Sequence, residues 1–220
     1  MKQILLMLPV FAFVTSARAQ FTKGDRYLGG YASFNYSNDD LNTSNGQKNF
    51  YIAFSPSFTR FKTDRKATGF RFTLGYENNK TKFTFGEQKR EDWLAQAGLF
   101  GLRIFPLGKG FYLSTEAGGN IGYRNSNNTT VAAPGDRDKR NEYNVNGYFT
   151  PGLGYKLTDR LVLGVNLNSV VGIGYSHVES RYTNPSGVTT KQQADRLSLF
   201  SSLNNTTVGQ LGFSFMWKLR

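Results

Sequence analysis

The end of this chain leaves few choices of fold. Leu211, Phe213, Phe215, Trp217 and Leu219 alternate there with Gly212, Ser214, Met216 and Lys218. Successive strand residues point to opposite faces, so a period of two describes a strand with one apolar and one polar or small face. The apolar face must be covered, and the rest of the 220 residues offers no helical period to cover it. It offers more strands of the same kind. No stretch beyond the first nineteen residues approaches the roughly 20 apolar residues of a spanning helix. Many such strands can satisfy their backbone groups and their apolar faces together by closing into a barrel that faces lipid.

Seven further strands are predicted before the last one: Asp25 to Tyr36, Lys48 to Phe61, Ala67 to Tyr76, Asp92 to Phe105, Phe111 to Tyr123, Glu142 to Leu157 and Leu161 to Tyr175. The third sets Phe70, Phe72, Leu74 and Tyr76 against Gly69, Arg71, Thr73 and Gly75. The seventh sets Leu161, Leu163, Val165, Leu167, Val171, Ile173 and Tyr175 against glycines and asparagines. In the fourth, Leu94, Phe100, Leu102 and Ile104 are assigned outward. The connections alternate long (37–47, 77–91, 124–141, 176–205) and short (62–66, 106–110, 158–160). An even strand number, crossings of about 10–14 residues and alternating loop lengths together describe an all-β, eight-stranded antiparallel up-and-down transmembrane β-barrel. A soluble sandwich has no reason to alternate its loops so regularly.

Tyr36, Tyr76, Tyr123 and Tyr175 each close an outward face just before a long loop. Leu74-Gly75-Tyr76, Ile121-Gly122-Tyr123 and Ile173-Gly174-Tyr175 repeat one local pattern. A phenol at a membrane interface keeps its ring in the acyl boundary and its hydroxyl among headgroups. These four are expected to form an outer girdle, and Phe58, Phe111, Tyr155 and Trp217 an inner one.

Targeting fits the same picture. Lys2, the apolar run Ile4 to Val14 and Ala17-Arg18-Ala19 read as a secretory signal peptide over 1–19, leaving the barrel as 20–220. Losing Lys2 and Arg18 takes the basic residues from 27 to 25 against 15 acidic ones, a net charge of +10. The mean hydropathy of −0.44 suits a barrel, in which only alternate residues meet lipid. With no cysteine and one histidine, neither a metal site nor a cofactor is expected. The basic residues are dispersed and carry no nucleic-acid-binding motif.

Three charged residues are assigned to the lumen: Arg71, Arg103 and Glu116, on the third, fourth and fifth strands. An interior of this size is just filled by side chains, so buried charges there must pair. The expectation is a salt-bridge network that plugs the barrel; a gated pore lined by the same charges is the alternative. His177, Glu179 and Ser180 follow Tyr175, as a lipid-modifying hydrolase would require, yet their spacing on one strand does not bring Ser to His. The long loops carry both signs, as in Asp136-Arg-Asp-Lys-Arg140, which reads first as a solvated loop; attraction to lipopolysaccharide phosphates or to a partner's acidic surface is the alternative.

The leader, the eight alternating strands, the repeated Leu/Ile-Gly-Tyr patterns and the final Phe213-x-Phe215-x-Trp217-x-Leu219 strand resemble the small outer-membrane β-barrels of Gram-negative bacteria, the OmpX-like proteins and the barrel part of OmpA-like proteins. The resemblance covers essentially the whole mature chain. It implies a cell outer membrane location, insertion by the barrel-assembly machinery acting on the final strand, contact with outer-membrane lipid and lipopolysaccharide, and no enzymatic activity. The function it implies is structural or surface-interacting, through four long extracellular loops, with a narrow channel for small solutes as the alternative.

Overall fold

The computed structural model describes residues 21–39, 46–83, 86–130, 137–167, 170–184, 186–201 and 211–220. The leader over 1–19 and the stretches 40–45, 131–136 and 202–210 lie outside them. The described residues hold ten strands: β1 (Arg26–Asp39), β2 (Gly46–Thr63), β3 (Lys66–Phe83), β4 (Gly86–Gly108), β5 (Phe111–Thr130), β6 (Arg137–Lys156), β7 (Leu161–Leu167), β8 (Val171–Thr183), β9 (Thr189–Ser201) and β10 (Leu211–Lys218). Consecutive strands from β1 to β7 pair antiparallel, β7 pairs with β10, and β10 returns to β1. The ring therefore closes with eight strands, and closure removes the sheet edges a flat sheet would leave unpaired.

The remaining two strands extend the ring. β8 continues β7 along the same edge of β6, and β9 is its hairpin partner. The seventh predicted strand is thus β7 plus the start of β8. Gly152 of β6 faces Asn166, but Phe149 faces Val171, so the register slips by two residues between the halves. A slip of two keeps the alternation in phase, and Leu163, Leu167, Val171, Ile173 and Tyr175 all stay exposed on the outer face.

Much of what reads as long loop is strand. β3 and β4 stay paired to Phe83 and Gly86, β5 and β6 to Thr129 and Arg137, and β8 and β9 to Thr183 and Thr189. Most positions on both faces of these extensions are polar, so the hydrophobic period fades where the backbone ladder does not; β9 departs from this, with Leu197 and Leu199 exposed outside beside Tyr175 and Ile173. The short connections are turns as predicted; the one after β4 takes Gly108, Lys109 and Gly110 through positive φ.

One facing assignment is reversed. In β4, Phe100 and Ile104 are buried in the interior, whereas Trp93, Leu99 and Phe105 are exposed outside. Leu94 and Leu102 share the inward parity of Phe100. Both faces of this segment are apolar, so its own alternation is ambiguous. Its neighbours decide: Phe100 fills the space left by Gly69 on β3, where any Cβ would collide with its ring. With β4 turned, the outer wall forms one apolar belt, with Leu28, Phe54, Phe70, Leu99, Ile121, Val145 and Phe213 all exposed. No described helix is long and apolar enough to cross a membrane.

Candidate functional site

The barrel interior is stratified, starting at the short-turn end. Gly24 takes φ 93°, and the turn it makes lets the Asp25 N–H donate to the Thr22 carbonyl at 3.0 Å. Gly24 N–H donates to the Phe61 carbonyl and Phe61 N–H to the Asp25 carbonyl, both at 2.9 Å. This pinned turn aims Phe21 up into the barrel. Its ring stacks on Phe61 at 4.4 Å and meets Tyr112 and Tyr27 edge-on at 5.4 and 5.8 Å. With Ala67, Ile104 and Val162, these side chains form a floor in which every member is at most 4% exposed. Nothing in the sequence pattern points to Phe21, which precedes the first strand.

Above a void of about 50 Å³ lies the ion pair. Arg71 donates from Nη1 to Glu116 Oε1 at 2.6 Å and from Nη2 to Oε2 at 2.8 Å. A two-pronged contact of this kind is the strong form of the interaction. The Tyr148 hydroxyl donates to Glu116 Oε1 at 2.9 Å. The guanidinium also lies over the rings of Phe100 and Tyr31, at 4.7 and 5.0 Å from their centroids. Arg71 and Glu116 flank β4, so the bridge spans its inner face, and Tyr148 of β6 and Tyr31 of β1 carry the contacts farther round the lumen. Gly118 gives Tyr148 its room, since a Cβ there would come within 2.8 Å of the hydroxyl.

A second cavity, of about 180 Å³, lies on the other side of the pair, lined by Thr73, Gln96, Asn120, Thr150 and Asn166 among others. Asn146 Nδ2 donates there to Asn120 and Asn144, at 3.1 and 2.9 Å. Farther toward the hairpins two inward ion pairs follow, Arg90 with Asp92 at 2.7 Å and Arg140 with Glu142 at 2.8 Å.

The structure brings together two of the three residues assigned to the lumen. Arg103 is not among them: it belongs to the reversed face of β4, lies exposed on the outer wall, and sits 5.1 Å from the ring centroid of Phe105. Tyr148, Tyr31 and Phe100 take its place around the pair. The inward parity of Tyr148, beside outward Phe149, could have suggested the first of these.

The aromatic rows have the expected members and some others. Tyr36, Tyr123 and Tyr175 are exposed on the outer face, and Tyr76 packs on Trp93 at 4.7 Å. Tyr143 joins them, 5.3 Å from Tyr123. In the other row Phe111 packs on Tyr155 at 4.6 Å, and Trp217 is exposed opposite Leu28. The reversed facing of β4 is what brings Trp93 into the row.

On the hairpin of β8 and β9, Asp195 accepts from the Tyr175 hydroxyl at 2.8 Å and lies 2.9 Å from His177 Nδ1. The hydrogen bond to Asp195 raises the pKa of His177. Ser180 has the opposite parity on β8 from His177 and points inward, so no Ser-His pair forms.

These features define a class: a closed eight-stranded antiparallel barrel with an apolar belt outside and polar and charged side chains inside. Its fold matches that of the crystal structure of the outer membrane protein OprG from Pseudomonas aeruginosa, with a TM-score of 0.52. The match covers 92% of this chain and 99% of that one at 14% sequence identity. No family model and no curated protein matches the chain.

Proposed function

We propose that this chain is an integral outer-membrane β-barrel with a closed lumen, acting through the hairpins it raises above the membrane. The membrane part of the reading rests on the exposed apolar belt between two aromatic rows, which has no use in water. The leader over 1–19 supplies export, and the barrel-assembly machinery supplies insertion. The hairpins then form the surface open to extracellular partners and to lipopolysaccharide.

The single observation that supports the closed lumen is the ion pair inside it, Arg71 to Glu116 at 2.6 Å and held by Tyr148, above the aromatic floor around Phe21. An ion crossing this barrel would have to part both. A narrow channel is the second reading, favoured by the cavities of about 180 and 50 Å³ on either side of the pair. Planar-bilayer conductance of the refolded protein separates the two. The closed reading expects no unitary current from the parent and current from Phe21→Ala/Glu116→Ala. Steady openings of the parent would establish the channel instead. Heat-modifiable migration in detergent gels and recovery in the outer-membrane fraction test the membrane reading itself; recovery as a soluble periplasmic protein would end it.

A further inference from the structure

Beyond the aromatic row, the outer wall carries an arrangement that sheets ordinarily avoid. Lys48 on β2 lies opposite Lys80 on β3, and Lys80 lies opposite Lys89 on β4. Lys139 on β6 lies opposite Arg181 on β8, and Arg181 opposite Lys191 on β9. All six side chains have outward parity. Residues directly opposite on one face have Cβ atoms about 4.5–5.5 Å apart, and like charges so placed are destabilising. Each triad therefore gathers three positive charges across roughly 10 Å of wall.

The protein supplies little to offset this. Among the described residues, Glu91 pairs with Lys89 at 2.5 Å, and no carboxylate forms an ion pair with Lys48, Lys80, Lys139, Arg181 or Lys191. The other acids near the triads on this face are placed elsewhere. Glu179 and Asp195 engage His177, and Glu87 lies opposite Lys82. Position relative to the aromatic row is also informative. Lys80 lies four residues beyond Tyr76, Lys89 four before Trp93, and Lys139 four before Tyr143. At the rise and tilt of barrel strands, four residues place a side chain roughly 10 Å above the row.

We propose that the two triads are binding sites for the phosphorylated headgroups of outer-leaflet lipid, one site on each side of the barrel. A phosphate spanning neighbouring cations turns the repulsion within a row into attraction, and the lipid's acyl chains lie along the belt below. The inference rests on the outer-membrane reading above.

The test uses the refolded full chain in neutral detergent micelles. Lipid A, its dephosphorylated form and inorganic phosphate are titrated separately. Lys48→Gln/Lys80→Gln/Lys89→Gln and Lys139→Gln/Arg181→Gln/Lys191→Gln each remove one triad. The parent is expected to bind two equivalents of lipid A, and each triple variant one. Single variants Lys80→Gln and Arg181→Gln, at the centre of each row, should weaken their own site about fivefold. Without lipid the triple variants should be at least as stable as the parent, because a repulsion has been removed. Undiminished stoichiometry in either triple variant, or equal binding of dephosphorylated lipid, would overturn the proposal. Saturation by inorganic phosphate at the same stoichiometry would overturn the headgroup assignment. Heat-modifiable migration identifies any variant that fails to fold, in which case its single variant decides. A parent that inserts into no bilayer contradicts the membrane reading rather than the triads.

Discussion

Glu116 has to satisfy Arg71 and Tyr148 together, and the cost of removing it follows from what it leaves behind. Glu116→Ala strands a guanidinium whose side chain is only 18% exposed. Breaking a buried pair in this way costs about 3–5 kcal/mol. Arg71→Ala/Glu116→Ala should recover part of that loss, since no lone charge remains. Arg103→Ala removes only an exposed contact with Phe105 and should cost less than about 1 kcal/mol. Urea unfolding midpoints in lipid vesicles measure these variants together with Arg71→Ala; simple addition of the two single effects in Arg71→Ala/Glu116→Ala would show that Arg71 and Glu116 act independently.

His177 gives a second residue-scale prediction. It faces Asp195 on β9, Glu179 and Tyr175 on its own strand, and Tyr143 on β6. Its pKa is raised from 6.5, so its contribution is full below that value and is lost as pH rises through the raised one. Asp195 is lowered from 3.8 by the same bond, so its contribution is full above that value and fails in stronger acid. The hairpin of β8 and β9 should therefore be firmest between pH 3.8 and 6.5. Amide protection factors around His177 and Asp195 should drop on going to mildly alkaline pH, and His177→Gln should abolish the drop. Equal protection in parent and variant at both pH values would remove His177 from the account.

At the scale of the strand, β4 is the informative case. Leu99 is 72% exposed on the outer face, whereas Leu102 lies partly buried inside, next to Phe100 and Ile104. A basic residue on the lipid face at mid-bilayer costs about 2–4 kcal/mol. Leu99→Arg should therefore reduce folding yield in vesicles far more than Gly101→Ala, a small apolar change at the next outward position of the same strand. Insensitivity to Leu99→Arg would restore the opposite facing of β4. Strands with one apolar face, such as β3 and β5, are legible in the sequence because their parity is unambiguous. β4 is not, because its facing is set by a glycine and an ion pair on its neighbours, and single-strand periodicity does not include neighbours. The polar hairpin extensions of β3 to β6 are illegible for the converse reason: their ladder is made of backbone hydrogen bonds that no side-chain pattern marks.

For the whole molecule, closure and orientation follow from features spread along the entire sequence. Strand number, the alternating turns and the aromatic rows are readable because each repeats several times, so an error in one strand does not propagate. The lumen is readable only in part. Arg71 and Glu116 have fixed parity and opposite charge, but the floor depends on Phe21, a residue outside every periodic segment. That floor also ties the start of the barrel to the rest of it. Phe21 sits near the start of the barrel sequence, yet its pocket is assembled from Phe61, Tyr112 and Val162, on strands that only the finished ring brings together. Bringing together segments so far apart in the chain carries the entropy of closing long loops. The pocket of Phe21 therefore exists only in the closed ring, and burial of Phe21 reports that the ring is complete.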